Sequence, residues 1–143
     1  MDNIYTFENL PDKVIKEADY IYATLPETKE TVNIFNKHFF EKMNKNGVFI
    51  NVGRGNAVVE EDIIYALEND LIKGAVLDVT PEEPLKSDSK LYNVSQKKLL
   101  ITNHSLCFNT ETVNMGFDFF YNNLENYLKT GKPNSIIDKK MQY

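Results

Sequence analysis

The spacing of apolar positions changes repeatedly along the chain, and each change marks an element. Ile4 to Thr6 reads as a short strand. Leu10, Val14, Ile15 and Ala18 then recur at helical spacing and predict an amphipathic helix from Leu10 to Ala18. Tyr20 to Leu25 is an apolar, partly β-branched run stopped by Pro26, the pattern of a buried strand entering a loop. Phe39, Phe40 and Met43 mark one face of a helix, with Asn46-Gly47 expected to close it through a left-handed glycine. Val48 to Val52 is a second strand, broken by Gly53-Arg54-Gly55.

A helix follows, with Glu60, Glu61 and Asp62 in its first turn, where the backbone dipole favours negative charge, and Ile63, Ile64, Leu67 and Leu71 as its apolar face. Ala75 to Val79 and Leu99 to Thr102 complete four predicted strands, separated by an irregular loop holding Pro81 and Pro84. A last helix starts near Asn109 or Thr110. It repeats Val113, Phe117, Phe120, Leu124, Tyr127 and Leu128 at intervals of three and four, and ends at Gly131 with Pro133 beyond. Nearly all-apolar strands alternating with helices imply an α/β fold, a parallel sheet with helices on both faces. In such sheets ligands bind beyond the carboxyl ends of the strands.

Composition narrows the chemistry. The 143 residues carry a formal charge of −5 with both signs interspersed, so no basic stripe suits nucleic acid. No apolar run is long enough to span a membrane, and the start has no basic or apolar leader, which points to the cytoplasm. A single cysteine excludes an internal disulfide framework, and His38 and His104 are too far apart in sequence to suggest a metal pair. Cys107 reads as a small buried apolar residue near the last helix, and His38 receives no role.

Four strand ends carry the candidates: Thr24-Leu25-Pro26, Gly53-Arg54-Gly55, Asp78 with the Glu82-Glu83 loop, and His104. Arg54 is the only arginine; the other fifteen of the sixteen basic residues are lysines. A guanidinium grips a carboxylate through two parallel bonds, as lysine cannot, and the flanking glycines would let a ligand approach the backbone. The bland alternative is a surface arginine in a turn. His104 reads equally as a satisfied core histidine or as a proton donor. Glu83, beside Glu82, reads as a solvated loop acid or as a carboxylate that orients an imidazole.

The string INVGRGNAVVEEDIIYALENDLIKGAVLDVTPEEPL, followed by LLITNHS, resembles the D-isomer-specific 2-hydroxyacid dehydrogenases. The resemblance runs from about Ala18, through LPETKET at Leu25 to Thr31, to Asn134 and Asp138. It implies a partial Rossmann-type, doubly wound sheet: the C-terminal part of an NAD(P)-binding domain, with residues 108–143 as a C-terminal helix and tail. It implies hydride transfer between NAD(P)H and a small 2-ketoacid, with Arg54 on the substrate carboxylate and carbonyl, His104 as proton donor and Glu83 supporting it. The cofactor would lie along Leu25, Pro26, Thr31, the backbone of Val52 and Gly53, Asp78, and beside His104. Related formate dehydrogenases have glutamine where Glu83 stands, which favours a ketoacid. The loop DVTPEEPLKSDSKLY is most similar to glyoxylate and hydroxypyruvate reductase-like members.

The chain also departs from the family pattern. Gly-x-Gly-x-x-Gly, whose amides would hold a pyrophosphate, is absent from these residues, and with it the position that separates NAD from NADP. The resemblance therefore implies a fragment inactive by itself, with a strand edge open to a partner. Asn103 stands where the family usually has proline, and Ser105-Leu106-Cys107 replaces a small glycine-containing turn. The competing expectations are a non-catalytic dimerisation or binding module on the same fold, such as a homodimer, and assembly with a separate chain carrying the remaining half.

Overall fold

Four short apolar runs pair side by side as a parallel sheet: β1 (Tyr20–Ala23), β2 (Val48–Asn51), β3 (Gly74–Leu77) and β4 (Leu99–Ile101), in the order β1-β2-β3-β4. In this computed structural model, residues 3–106 and 109–140 are described. The chain divides into two units, Met1–Asn103 and His104–Tyr143. The first is an α/β, Rossmann-like unit in which α1 (Asp12–Glu17) precedes β1, α2 (Lys37–Lys42) joins β1 to β2, and α3 (Glu60–Glu68) joins β2 to β3. A 3-10 turn at Lys90–Asn93 lies between β3 and β4.

Strand order explains where the core sits. The sheet grows in one direction, and crossovers between parallel strands are right-handed, so the connecting helices fall on the same face. That face carries Ala23, Phe49, Ala75, Leu77 and Leu99, all buried against Phe39 and Phe40 of α2, Ile63 and Leu67 of α3, and Leu91. Phe35, Phe39, Phe40 and Phe49 meet edge to face within this core, at centroid distances of 4.9 to 6.3 Å. The expectation of helices on both faces is corrected accordingly for this unit. On the opposite face Tyr20, Tyr22 and Leu100 are each more than half exposed.

Two local expectations also change. Ile4 to Thr6 forms no strand; instead the Thr6 amide donates to Asn9 Oδ1 and the Asn9 amide to the Thr6 carbonyl, which turns the chain into a 3-10 turn at Phe7–Asn9. Gly47 is not left-handed. Helix α2 has already ended at Met43, and the Asn44 side chain and carbonyl take the amides of Asn46 and Gly47. Glycine eases the packing there, because a Cβ would lie 3.0 Å from the Asn44 carbonyl and 3.1 Å from that of Ala18.

The second unit is dominated by α4 (Thr110–Thr130). Asn109 caps it by accepting from the Thr112 amide, and Gly131 ends it at φ 75°, as the sequence implied. None of its residues is buried. The reading of Cys107 lies outside the described residues.

Candidate active site

Each candidate in the first unit sits just past the carboxyl end of a strand, and short-range bonds set its place. After β1, Thr31 Oγ1 donates to the Pro26 carbonyl at 2.7 Å and accepts from the Thr28 amide at 2.9 Å. The hydroxyl is thus used to close the loop that presents Leu25 and Pro26. The amides of Asn33 and Phe35 then donate to the carbonyls of Asn56 and Ala57, tying this loop to the turn that follows Arg54.

After β2, the chain passes through Val52, half-buried, and Gly53, buried, to the exposed Arg54. At both glycines the space that a side chain would take is filled by protein backbone. A Cβ on Gly53 would lie 2.7 Å from the backbone nitrogen and oxygen of Leu25, and one on Gly55 would lie 1.9 Å from the Thr80 carbonyl oxygen. The loops from β1, β2 and β3 are thus drawn together at the glycines. Arg54 Nη1 donates to the Gly53 carbonyl at 2.8 Å.

After β3, Asp78 is a buried carboxylate at 4% exposure, and Thr102 Oγ1 donates to its Oδ1 at 2.5 Å. This bond joins the ends of β3 and β4. The Thr80 amide donates to Glu83 Oε1 at 3.0 Å, and Thr80 Oγ1 donates to the Glu82 carbonyl at 2.8 Å. The Glu83–Pro84 peptide bond is cis. The two glutamates differ in employment: the Glu82 carboxylate reaches out to Lys86 at 2.8 Å in an exposed ion pair, while that of Glu83 turns back on its own loop.

His104 opens the second unit with φ 54°, a left-handed backbone in a residue that has a Cβ. Such geometry costs energy and concentrates at functional positions. Asn51, Thr80 and Thr102 were missed by sequence reasoning. For Asn51 there was a signal, an amide inside an otherwise apolar strand three residues before the arginine. Thr80 and Thr102 carried none, because threonine is ordinary in strands and loops. Among the described residues no group of three His, Cys, Asp or Glu side chains is placed to hold a metal.

Residues 2–105 match the family model for the D-isomer specific 2-hydroxyacid dehydrogenase, NAD binding domain. The chain belongs to this family.

Among dehydrogenase relatives, glyoxylate/hydroxypyruvate reductase B of Enterobacter sp. (strain 638) is 45% identical over 84 residues, which cover 59% of this chain and 26% of that protein. The Salmonella newport (strain SL254) reductase of the same name is 44% identical over the same lengths. The chain thus spans about a quarter of the curated relatives it matches. The NADPH-dependent glyoxylate/hydroxypyruvate reductase of Sinorhizobium meliloti, solved with NADP and sulfate, superposes with a TM-score of 0.79 at 30% identity, over 92% of this chain and 42% of that one. A probable 2-hydroxyacid dehydrogenase from Rhizobium etli CFN 42, solved with NADP, gives 0.76 at 31% identity over the same shares.

The residues present fit a nicotinamide dinucleotide along one side. Strand ends of a parallel sheet are where such cofactors lie, and the buried Asp78 carboxylate is an acceptor there. The glycine-rich phosphate grip is not among these residues.

Proposed function

We propose that this chain forms the strand-end half of the site of an NAD(P)-dependent 2-ketoacid reductase, with glyoxylate or hydroxypyruvate as substrate. The observation that carries this reading is the placement of Arg54 and Glu83, both within the residues that match the family model, past the ends of neighbouring parallel strands β2 and β3. The names of the relatives support the substrate class.

In this reading the cofactor, NAD or NADP, supplies hydride to the carbonyl carbon. Leu25, Pro26 and the backbone of Val52 and Gly53 form its bed, with Thr31 fixing the loop that contributes Leu25 and Pro26. Asp78, buried at the end of β3, would line the cofactor's site as an acceptor. Arg54 binds the substrate carboxylate and draws charge from the carbonyl oxygen. By the family resemblance His104 would give that oxygen its proton, yielding the 2-hydroxyacid, and Glu83 would support it. Residues 1–143 then act as the C-terminal part of a nucleotide-binding domain, with 108–143 as helix and tail. The chain alone is inactive or nearly so in this reading, because the glycine-rich sequence that would cradle the pyrophosphate is absent from it. A cytoplasmic setting belongs to the same reading. A homodimer is a further part of it, favoured by the exposed Phe117, Phe120 and Leu128 of α4.

The test is a chimera in which residues 2–105 replace the matching segment of the Sinorhizobium reductase. It should reduce glyoxylate with NADPH, and R54A should lower kcat/KM by about 100-fold. Undiminished turnover in R54A removes the arginine from the site. Saturable NADH or NADPH binding with turnover by the 143-residue chain itself overturns its inactivity.

A further inference from the structure

We infer that Asn51 is a positioning residue that holds Arg54 ready to grip a carboxylate, an inference that rests on the role proposed for Arg54 above. Asn51 ends β2 and is fully buried. Its backbone partners in the sheet are Ala23 and Leu77, so it shares the core face with apolar residues. A side chain selected for stability alone would be apolar there, because a buried amide is costly unless its atoms are bonded.

Both ends of this amide are engaged. Asn51 Oδ1 accepts from the Gly53 amide at 3.1 Å, and Nδ2 donates to the Arg54 carbonyl at 3.0 Å. The assignment of oxygen and nitrogen follows from the partners, since a peptide N–H only donates and a carbonyl only accepts. Arg54 Nη1 in turn donates to the Gly53 carbonyl. Asn51 thus holds the peptides on either side of the Gly53–Arg54 peptide, whose carbonyl carries the guanidinium. The main-chain carbonyl of Asn51 also accepts from the Asp78 amide, which couples this arrangement to β3.

The chemistry explains the residue type. Aspartate lacks the donor, serine reaches only the nearer amide, and leucine offers neither bond. An exposed arginine otherwise loses rotamer freedom on ordering. Seating one of its five N–H groups on Gly53 removes part of that loss before a ligand arrives and leaves donors for a two-point carboxylate contact.

The test is 15N NMR of the 143-residue chain, comparing wild type with N51A, N51S and R54A and using oxamate as a 2-ketoacid mimic. Because Arg54 is the only arginine, its Nε–H gives one unambiguous signal. In N51A the Gly53 amide should exchange at least about tenfold faster, the Arg54 Nε–H should move to the shift of a free side chain, and oxamate affinity should fall about tenfold. N51S, which keeps an acceptor for Gly53, should recover part of each effect. A purely structural asparagine would lower Tm and leave the Arg54 signal and oxamate affinity unchanged; that result in folded N51A overturns the inference. If N51A does not fold, N51S against wild type decides by the same Arg54 signal. Oxamate binding that is absent in wild type, or unchanged in R54A, counts against the substrate role of Arg54, while the ligand-free signals still judge Asn51.

Discussion

In the first unit the apolar positions vanish into a core: Phe49, Ile63 and Leu67 are wholly buried under one face of the sheet. In the second, α4 repeats its apolar residues with equal regularity, and Phe117, Phe120 and Leu128 remain 65% to 75% exposed. The difference separates two things a periodic sequence carries. Spacing determines that a helix forms and which side seeks company. Whether company exists depends on surfaces contributed from elsewhere. Tyr121 borders that stripe and Phe119 interrupts the polar side of α4, so its apolar surface is wider than one stripe.

The largest expected effect tests that contrast directly. Phe49→Ala removes a ring that packs edge to face on Phe35 and Phe40. It should destabilise the first unit by about 3–5 kcal/mol in urea unfolding followed by circular dichroism. Phe117→Ala should change stability by no more than about 0.5 kcal/mol. A cost for Phe117→Ala that rises with protein concentration would sharpen the comparison, because the homodimer proposed above covers α4 with a second copy in solution.

Glycines sharpen it. Gly55→Ala places a methyl group 1.9 Å from the Thr80 carbonyl oxygen, so the Arg54 turn or the Thr80–Glu83 loop must shift, at about 1–3 kcal/mol. Gly116, within α4, has open space around it, and Gly116→Ala should stabilise the helix by roughly 0.4–1 kcal/mol. Opposite signs for the same chemical change would express packing in one unit and its lack in the other. Equal signs in thermal melts would contradict it.

The legible part of the molecule was what depends on local order. The strands, α3, the caps at Asn109 and Gly131, and the candidates at the strand ends all follow from spacing and residue type. What escaped depended on partners distant in sequence. Gly53 and Gly55 face backbone that only the sheet order brings near, so what fills the space beside them was not legible. Thr102 became informative only when parallel pairing placed it beside Asp78. The one-sided burial of the sheet followed from strand order, which apolar runs do not encode. Asn51 lay between these cases, visible as an anomaly but interpretable only through its two bonds.

The smallest expected effect concerns Asp70, at the turn after α3. Lys98 Nζ bonds to Asp70 Oδ1 at 2.6 Å and to the Leu67 carbonyl at 2.7 Å, so it joins the end of α3 to the residue before β4. The hydrogen bond from Lys98, reinforced by its charge, holds the Asp70 carboxyl below the ordinary aspartate range. A carboxyl depressed in the fold binds its proton more readily in the unfolded chain. Its contribution is therefore present above the unfolded value and is lost as pH falls through the lower folded one. Asp70→Asn is a clean probe, because asparagine tolerates the φ of 54° found there. Wild type should unfold at slightly higher urea than D70N at pH 7, and the gap should close in acid below the ordinary aspartate range. High salt should narrow it too, since the carboxylate is exposed. Glu125→Gln in α4 removes a comparable exposed pair with Lys129 at 2.9 Å and serves as the reference from the second unit. If the D70N gap persisted unchanged in acid, the pair with Lys98 would not be its source, and the link between α3 and β4 would rest on the Leu67 carbonyl alone.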